Sequence, residues 1–144
     1  MTLPTPQAGL VIRYSYLWRN EADQGREEGV KDRPCVVILA VENVKGTYKV
    51  HVAPITHTAP HESSTSLEIP IATKYRLGLD DARSWINTRE TNIFTWPGPD
   101  VRPVDRSNHV FTYGFLPANL FRHVRDEIIA NIRSKRAQNV ERDE

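Results

Sequence analysis

The stretch Lys31-Asp32-Arg33-Pro34-Cys35-Val36-Val37-Ile38-Leu39-Ala40-Val41 sets three charged residues directly before an unbroken apolar run. From Pro34 to Val41 no side chain is polar, and the run has the length and β-branched content of a strand buried on both faces. It is expected to be the central strand. Pro34 suits a strand's first position, where its missing N–H breaks no ladder bond, and it biases Arg33 toward an extended backbone. Arg33 then stands at the strand's mouth, presenting a planar fork of donors whose charge is permanent near neutral pH and whose shape suits phosphate. The plain alternative is a surface arginine beside a strand start.

Working outward, Glu42-Asn43-Val44-Lys45-Gly46 has the residues of a tight turn, and Thr47 to Ala53 alternates as the following strand. The prolines of Pro54-Ile55-Thr56-His57-Thr58-Ala59-Pro60 are expected to end regular pairing there. A tight hairpin across Gly46 would bring Thr56 and His57, at the end of one strand, beside Arg33 at the start of the other. On the N-terminal side, Gly9 to Trp18 is rich in β-branched and aromatic residues and is expected to be the first strand. Arg19 to Asp32 is polar, contains two glycines by position (Gly25 and Gly29) and reads as a lid.

Further along, His61 to Ser66 is a polar loop, Leu67 to Ile71 a short edge strand tolerating Pro70, and Ala72 to Arg83 a loop with one helical turn. Ser84 to Trp96 reads as a single strand with Ile86, Glu90, Asn92, Phe94 and Trp96 on one face, its polar middle turned to a groove or a partner. Pro97 to Pro103 is a rigid loop and His109 to Phe115 a last strand. Leu116-Pro117-Ala118-Asn119 opens a helix with an apolar stripe of Leu120, Phe121, Val124, Ile128, Ile129 and Ile132. Residues 137–144 are expected to be a frayed tail.

At 144 residues the chain is expected to be one domain, 1–144. A composition of 39% hydrophobic and 26% charged residues is that of a globular protein. The net charge of +1 excludes a histone-like polycation, so any nucleic-acid contact must come from a local patch. Cys35 is the one cysteine, which excludes an internal disulfide and a cysteine metal cluster. The first residues lack a charged-then-apolar signal pattern, and no stretch approaches about 18 consecutive apolar residues. The expectation is a cytoplasmic protein without a membrane segment. His51, His57 and His61 lack carboxylate or cysteine companions at metal-ligand spacing, so no metal site is expected. Ser63, Ser64 and Ser66 precede no nucleophile-elbow pattern.

Short strands, polar turns and one C-terminal helix indicate a mainly β fold, a small half-open barrel closed by a helix. Gly9-Leu10-Val11, the polar segment after it, Arg33-Pro34-Cys35-Val36-Val37-Ile38, Ala53-Pro54-Ile55-Thr56, Gly78-Leu79 before Ser84, and Tyr113-Gly114-Phe115-Leu116 resemble, in that order, the MazF/PemK toxin family. The resemblance runs from Gly9 to about Ile132. It implies an SH3-like barrel that acts as a homodimer, needs no cofactor, and is silenced by a cognate antitoxin protein. It implies a metal-independent endoribonuclease that cuts single-stranded RNA to 2′,3′-cyclic phosphate and 5′-hydroxyl ends. Arg33 and Thr56 match the family's catalytic arginine and threonine or serine, and Arg19 to Asp32 matches its lid. One departure concerns the strand that carries an arginine and an aspartate in some members, where this chain reads Asn87-Thr88-Arg89-Glu90.

Metal-free RNA cleavage needs a base for the 2′-OH, an acid for the departing 5′-oxygen and a cation for the charge gathering on phosphorus. Arg33 suits the cation, Thr56 can bond a phosphate oxygen, and His57 is the leading proton carrier because imidazole titrates near neutrality, with Glu90 second. Trp85 could stack a base, as could Trp96, while Glu90 and Asn92 could read base edges. Each has a structural alternative: a turn cap for Thr56, an exposed loop position for His57, a core or dimer contact for Trp85, and cross-strand pairing for Glu90 and Asn92. At the level of function the alternative is a non-catalytic nucleic-acid- or peptide-binding module on the same barrel.

Overall fold

Asn43 makes the hairpin that the central run requires. Its backbone N–H donates to the Thr47 carbonyl at 2.8 Å, its side-chain oxygen accepts the Lys45 N–H at 2.8 Å, and Gly46 takes a φ of +83°. A left-handed position of this kind favours glycine, and an Asx-type turn supplies the rest. The computed structural model in which this is seen describes residues 3–18, 32–60, 66–104, 110–134 and 138–141.

In chain order the elements are β1 (Leu10–Tyr14), β2 (Arg33–Glu42), β3 (Tyr48–Thr56), β4 (Ser66–Glu68), α1 (Ile71–Leu77), β5 (Trp85–Asn87), β6 (Glu90–Trp96), β7 (Val101–Arg102), β8 (Thr112–Phe115), α2 (Ala118–Arg133) and β9 (Gln138–Glu141). Among the described residues nine strands form one open sheet, antiparallel except where β9 lies parallel to β6. The fold is thus mainly β with a C-terminal helix. β2 is central, between β1 and β3, and β3 pairs on its other side with β6 first and then with β5. Among the described residues no helix is long and apolar enough to cross a membrane.

Alternation along the strands fills both faces of the sheet. Leu10, Ile12, Tyr14, Cys35, Val37, Val50, Val52, Phe94 and Trp96 pack on one face. Val11, Val36, Ala53, Ile55 and Ile86 pack on the other, beneath Leu77 of α1 and Val124 and Ile128 of α2. This is the period-two consequence of side chains pointing alternately across a pleated strand. β2 is buried on both faces only over Cys35 to Val37; Leu39 and Val41 are about half exposed, so the apolar run is a core strand in its first half alone. Ile38 is the unpaired extra residue of a bulge, since Val37 faces Val52 and Leu39 faces His51.

Several expectations need correcting, among them the rigid loop at 97–103, which contains β7. β3 does not stop before Pro54 but continues to Thr56, because Pro54 sits where the strand exchanges β6 for β5 and its missing N–H is not needed there. Ser84 to Trp96 is two strands rather than one. Asn87 accepts the Arg89 N–H at 2.8 Å and turns the chain, while the buried Thr88 donates to Glu127 at 2.6 Å and accepts from Asn131, both on α2. The segment after Pro70 is a helix of 7 residues, α1, instead of a loop with a single turn. Residues 138–141 of the expected frayed tail form a strand registered against Glu90–Ile93. On α2, Ile129 and Ile132 of the apolar stripe remain exposed. The expected lid falls, apart from Asp32, on residues 19–31 outside the described residues, and the loop at 61–65 does likewise.

Candidate active site

The β2–β3 register ends with Cys35 opposite Pro54, and each strand runs two residues further, to Arg33 and Thr56 at the same end of the sheet. β1 adds Arg13 and Tyr14 alongside, paired with Pro34 and Arg33. Here a cleft of about 280 Å³ opens, lined by Arg13, Asp32, Arg33, His57, Asp80 and Tyr113 together with Pro34, Ile55, Gly78, Leu79 and Ser84. Thr56 is not part of its wall but lies between two residues that are, Ile55 and His57.

Among the described residues Arg33 meets an aromatic ring rather than an acid. Its guanidinium carbon lies 5.0 Å from the centre of the Trp18 ring, a cation–π geometry. Its Nε is buried without a hydrogen-bond partner among the described residues. A buried donor left unmade costs free energy. Arg13 is the second cation, its Nε 3.6 Å from Asp32 Oδ2. Thr56 Oγ1 accepts the Thr58 N–H at 3.1 Å, and among the described residues its own proton has no acceptor.

His57 reaches the cleft with a partner whose position depends on the end of α1. Gly78 has a φ of +72°, and the Leu79 and Gly78 N–H groups donate to Lys74 and Tyr75 carbonyls at 3.0 and 3.1 Å. This is a Schellman termination, and it turns the chain so that Asp80 follows at once. Asp80 Oδ2 lies 2.8 Å from His57 Nε2, while Oδ1 accepts from Lys74 Nζ at 2.6 Å. Lys74 is only 3% exposed, and its remaining protons go to Ser84 Oγ at 2.7 Å and to the Ala82 carbonyl. An ammonium in the interior is tolerable when all three donors are met in this way. The Lys74 hydrogen bond, more than the one from His57, holds the Asp80 carboxyl below the usual carboxylate range. Tyr113 enters the cleft through a second bulge: Val11 faces Gly114 and Ile12 faces Thr112, so Tyr113 is the extra residue. Burial raises its phenol above the ordinary value. Behind Arg33, the fully buried Cys35 thiol is pushed up strongly by desolvation.

Of the six residues singled out from the sequence, Arg33 and His57 line this cleft and Thr56 adjoins it. Trp85 pairs with Thr56 but is 8% exposed, with the Arg83 guanidinium 5.0 Å above its ring, so it offers no open face to a base. Glu90 lies on β6 outside the cleft wall and accepts the Tyr16 hydroxyl at 3.4 Å. Asn92 is 0% exposed and spans the Leu17 backbone, accepting its N–H at 2.8 Å and donating to its C=O at 2.7 Å. A base edge cannot reach it. The sequence reading missed Arg13, Trp18, Lys74, Asp80 and Tyr113; the one local signal was Gly78, a helix-stopping glycine directly before Leu79-Asp80. Among the described residues no three of His, Cys, Asp and Glu gather closely enough to hold a metal ion. No protein-family model matches the chain, and no curated protein matches it either.

Proposed function

We propose that the chain is a metal-independent endoribonuclease toxin of the MazF/PemK kind, on an SH3-like barrel, and that the cleft at the β1–β2–β3 end is its active site. The observation that carries this reading is one cleft whose lining combines two arginines, Arg13 and Arg33, with a proton carrier, His57. Two guanidinium groups favour a phosphodiester over a neutral ligand, because bidentate donor forks match its non-bridging oxygens.

In the proposed reaction Arg33 binds the scissile phosphate and offsets the charge that grows on its oxygens, and the Thr56 hydroxyl proton fixes its orientation. His57 removes the 2′-OH proton, O2′ bonds to phosphorus, and the P–O5′ bond breaks. The products are a 2′,3′-cyclic phosphate and a 5′-oxygen that takes up one proton from solvent, so charge and atoms balance. The same reading includes an antitoxin partner and a homodimer. The exposed apolar residues Leu39, Ile129 and Ile132, which line one apolar hollow, are suited to such a protein contact.

Incubating the protein with a long single-stranded RNA in excess EDTA should give discrete fragments bearing 5′-hydroxyl ends. Arg33→Ala should lower turnover about 10²-fold or more while the far-UV spectrum stays unchanged. Intact RNA with the wild-type protein, or undiminished cutting by the variant, would remove the nuclease reading and leave the binding module.

A further inference from the structure

The chain Lys74–Asp80–His57 runs from the interior to the cleft, and each link has one chemical sense. Lys74 can only donate, so Asp80 Oδ1 accepts from it. Asp80, kept ionised by that contact, can only accept, so the bond at 2.8 Å must be donated by His57 Nε2–H. In the neutral ring this leaves Nδ1 as the bare nitrogen, and it has no hydrogen-bond partner among the described residues. Arg13, Asp32, Arg33 and Tyr113 are the other titratable or charged groups lining the same cleft.

We propose that Asp80, anchored by the buried Lys74, is a positioning residue that fixes His57 as the Nε2–H tautomer and makes Nδ1 the atom that accepts the proton in the cleft. The catalytic use of that atom rests on the nuclease reading; the tautomer itself does not. The Schellman turn at Gly78 is what delivers the carboxylate, and Ser84 and the Ala82 carbonyl hold the ammonium that aims it. An aspartate that orients an imidazole in this way acts without touching the reacting atoms.

Asp80→Asn is the informative variant because it is isosteric: its Oδ1 can still accept from Lys74, while its amide would present a donor to Nε2. Long-range proton–nitrogen correlation spectra of 15N-labelled, RNA-free protein, recorded where the ring is neutral, should show the wild-type His57 protonated at Nε2 and bare at Nδ1. In Asp80→Asn the population should move toward the Nδ1–H form. With single-stranded RNA, kcat should fall about 10²-fold or more with KM within about twofold. His57→Gln should lose a similar factor, and the double variant should lose no more than the larger single loss. A wild-type ring protonated at Nδ1, a tautomer that Asp80→Asn leaves unchanged, or losses that simply multiply would overturn the proposal. A wild-type protein that cuts no RNA would defeat the nuclease reading alone, since the spectra judge the tautomer without substrate.

Discussion

The side-chain amide of Asn92 closes both hydrogen bonds of Leu17, on a backbone segment 75 positions earlier in the chain. Alternation along Glu90–Trp96 places Asn92 beside Phe94 and Trp96 in register, but it does not tell a polar residue aimed at solvent from one that satisfies buried backbone. The difference lies in Leu17, which no local pattern connects to it. Asn92→Ala would leave a buried N–H and a buried C=O unmade, and should destabilise the fold by about 2–4 kcal/mol. The check is a urea titration: the midpoint should fall with an unchanged slope, and a shift within about 0.5 kcal/mol would show that water replaces the amide freely. Trp85 takes the core alternative for a similar reason, since its stacking partner, Arg83, is close in sequence but is itself held over the ring by Glu68 at 2.8 Å. Arg33 was legible because its proline, its strand and its hairpin partner are all local.

β3 shows what pattern reading can and cannot see at the level of an element. Its start and its turn follow from Asn43 and Gly46, but its continuation through Pro54 depends on a change of neighbour from β6 to β5 that only the tertiary arrangement decides. β9 was invisible for the same reason: a short polar strand acquires its identity from β6, and its own residues announce a tail. The junction has a consequence for acid stability. His51 on β3 has its pKa lowered, first by burial and then by Lys49, against a weaker opposing pull from Glu141 on β9. A histidine whose folded value lies below its unfolded value of ~6.5 binds its proton more readily in the unfolded chain. Its contribution is therefore complete above ~6.5 and is lost as the pH falls through the lower folded value. The melting temperature should decline between about pH 7 and pH 5, and His51→Gln should decline less over that interval. Parallel pH curves for the two proteins would exclude His51 as the source.

Across the whole molecule, the cleft gathers β1, β2, the end of β3, the turn after α1 and the bulge of β8, elements spread over most of the chain. Sequence reading reached the part built by one hairpin. Asp80 and Tyr113 enter through a Schellman turn and a register shift, and neither device has a residue pattern that says where it will point. The burial of Cys35 bears on how this assembly can be watched. It is the chain's single thiol, it sits two residues from Arg33 on the strand shared by β1 and β3, and it is fully buried in the core on one face of the sheet. An aromatic disulfide reagent can therefore act as a clock for opening of the core around β2. Its reaction with the native protein should be slower than with a free thiol by about 10³-fold or more, the scale of a sub-global opening. Immediate stoichiometric labelling would mean that this end of the sheet is open most of the time, and a slower reaction in the presence of an RNA ligand would report closure around it without any cleavage being measured.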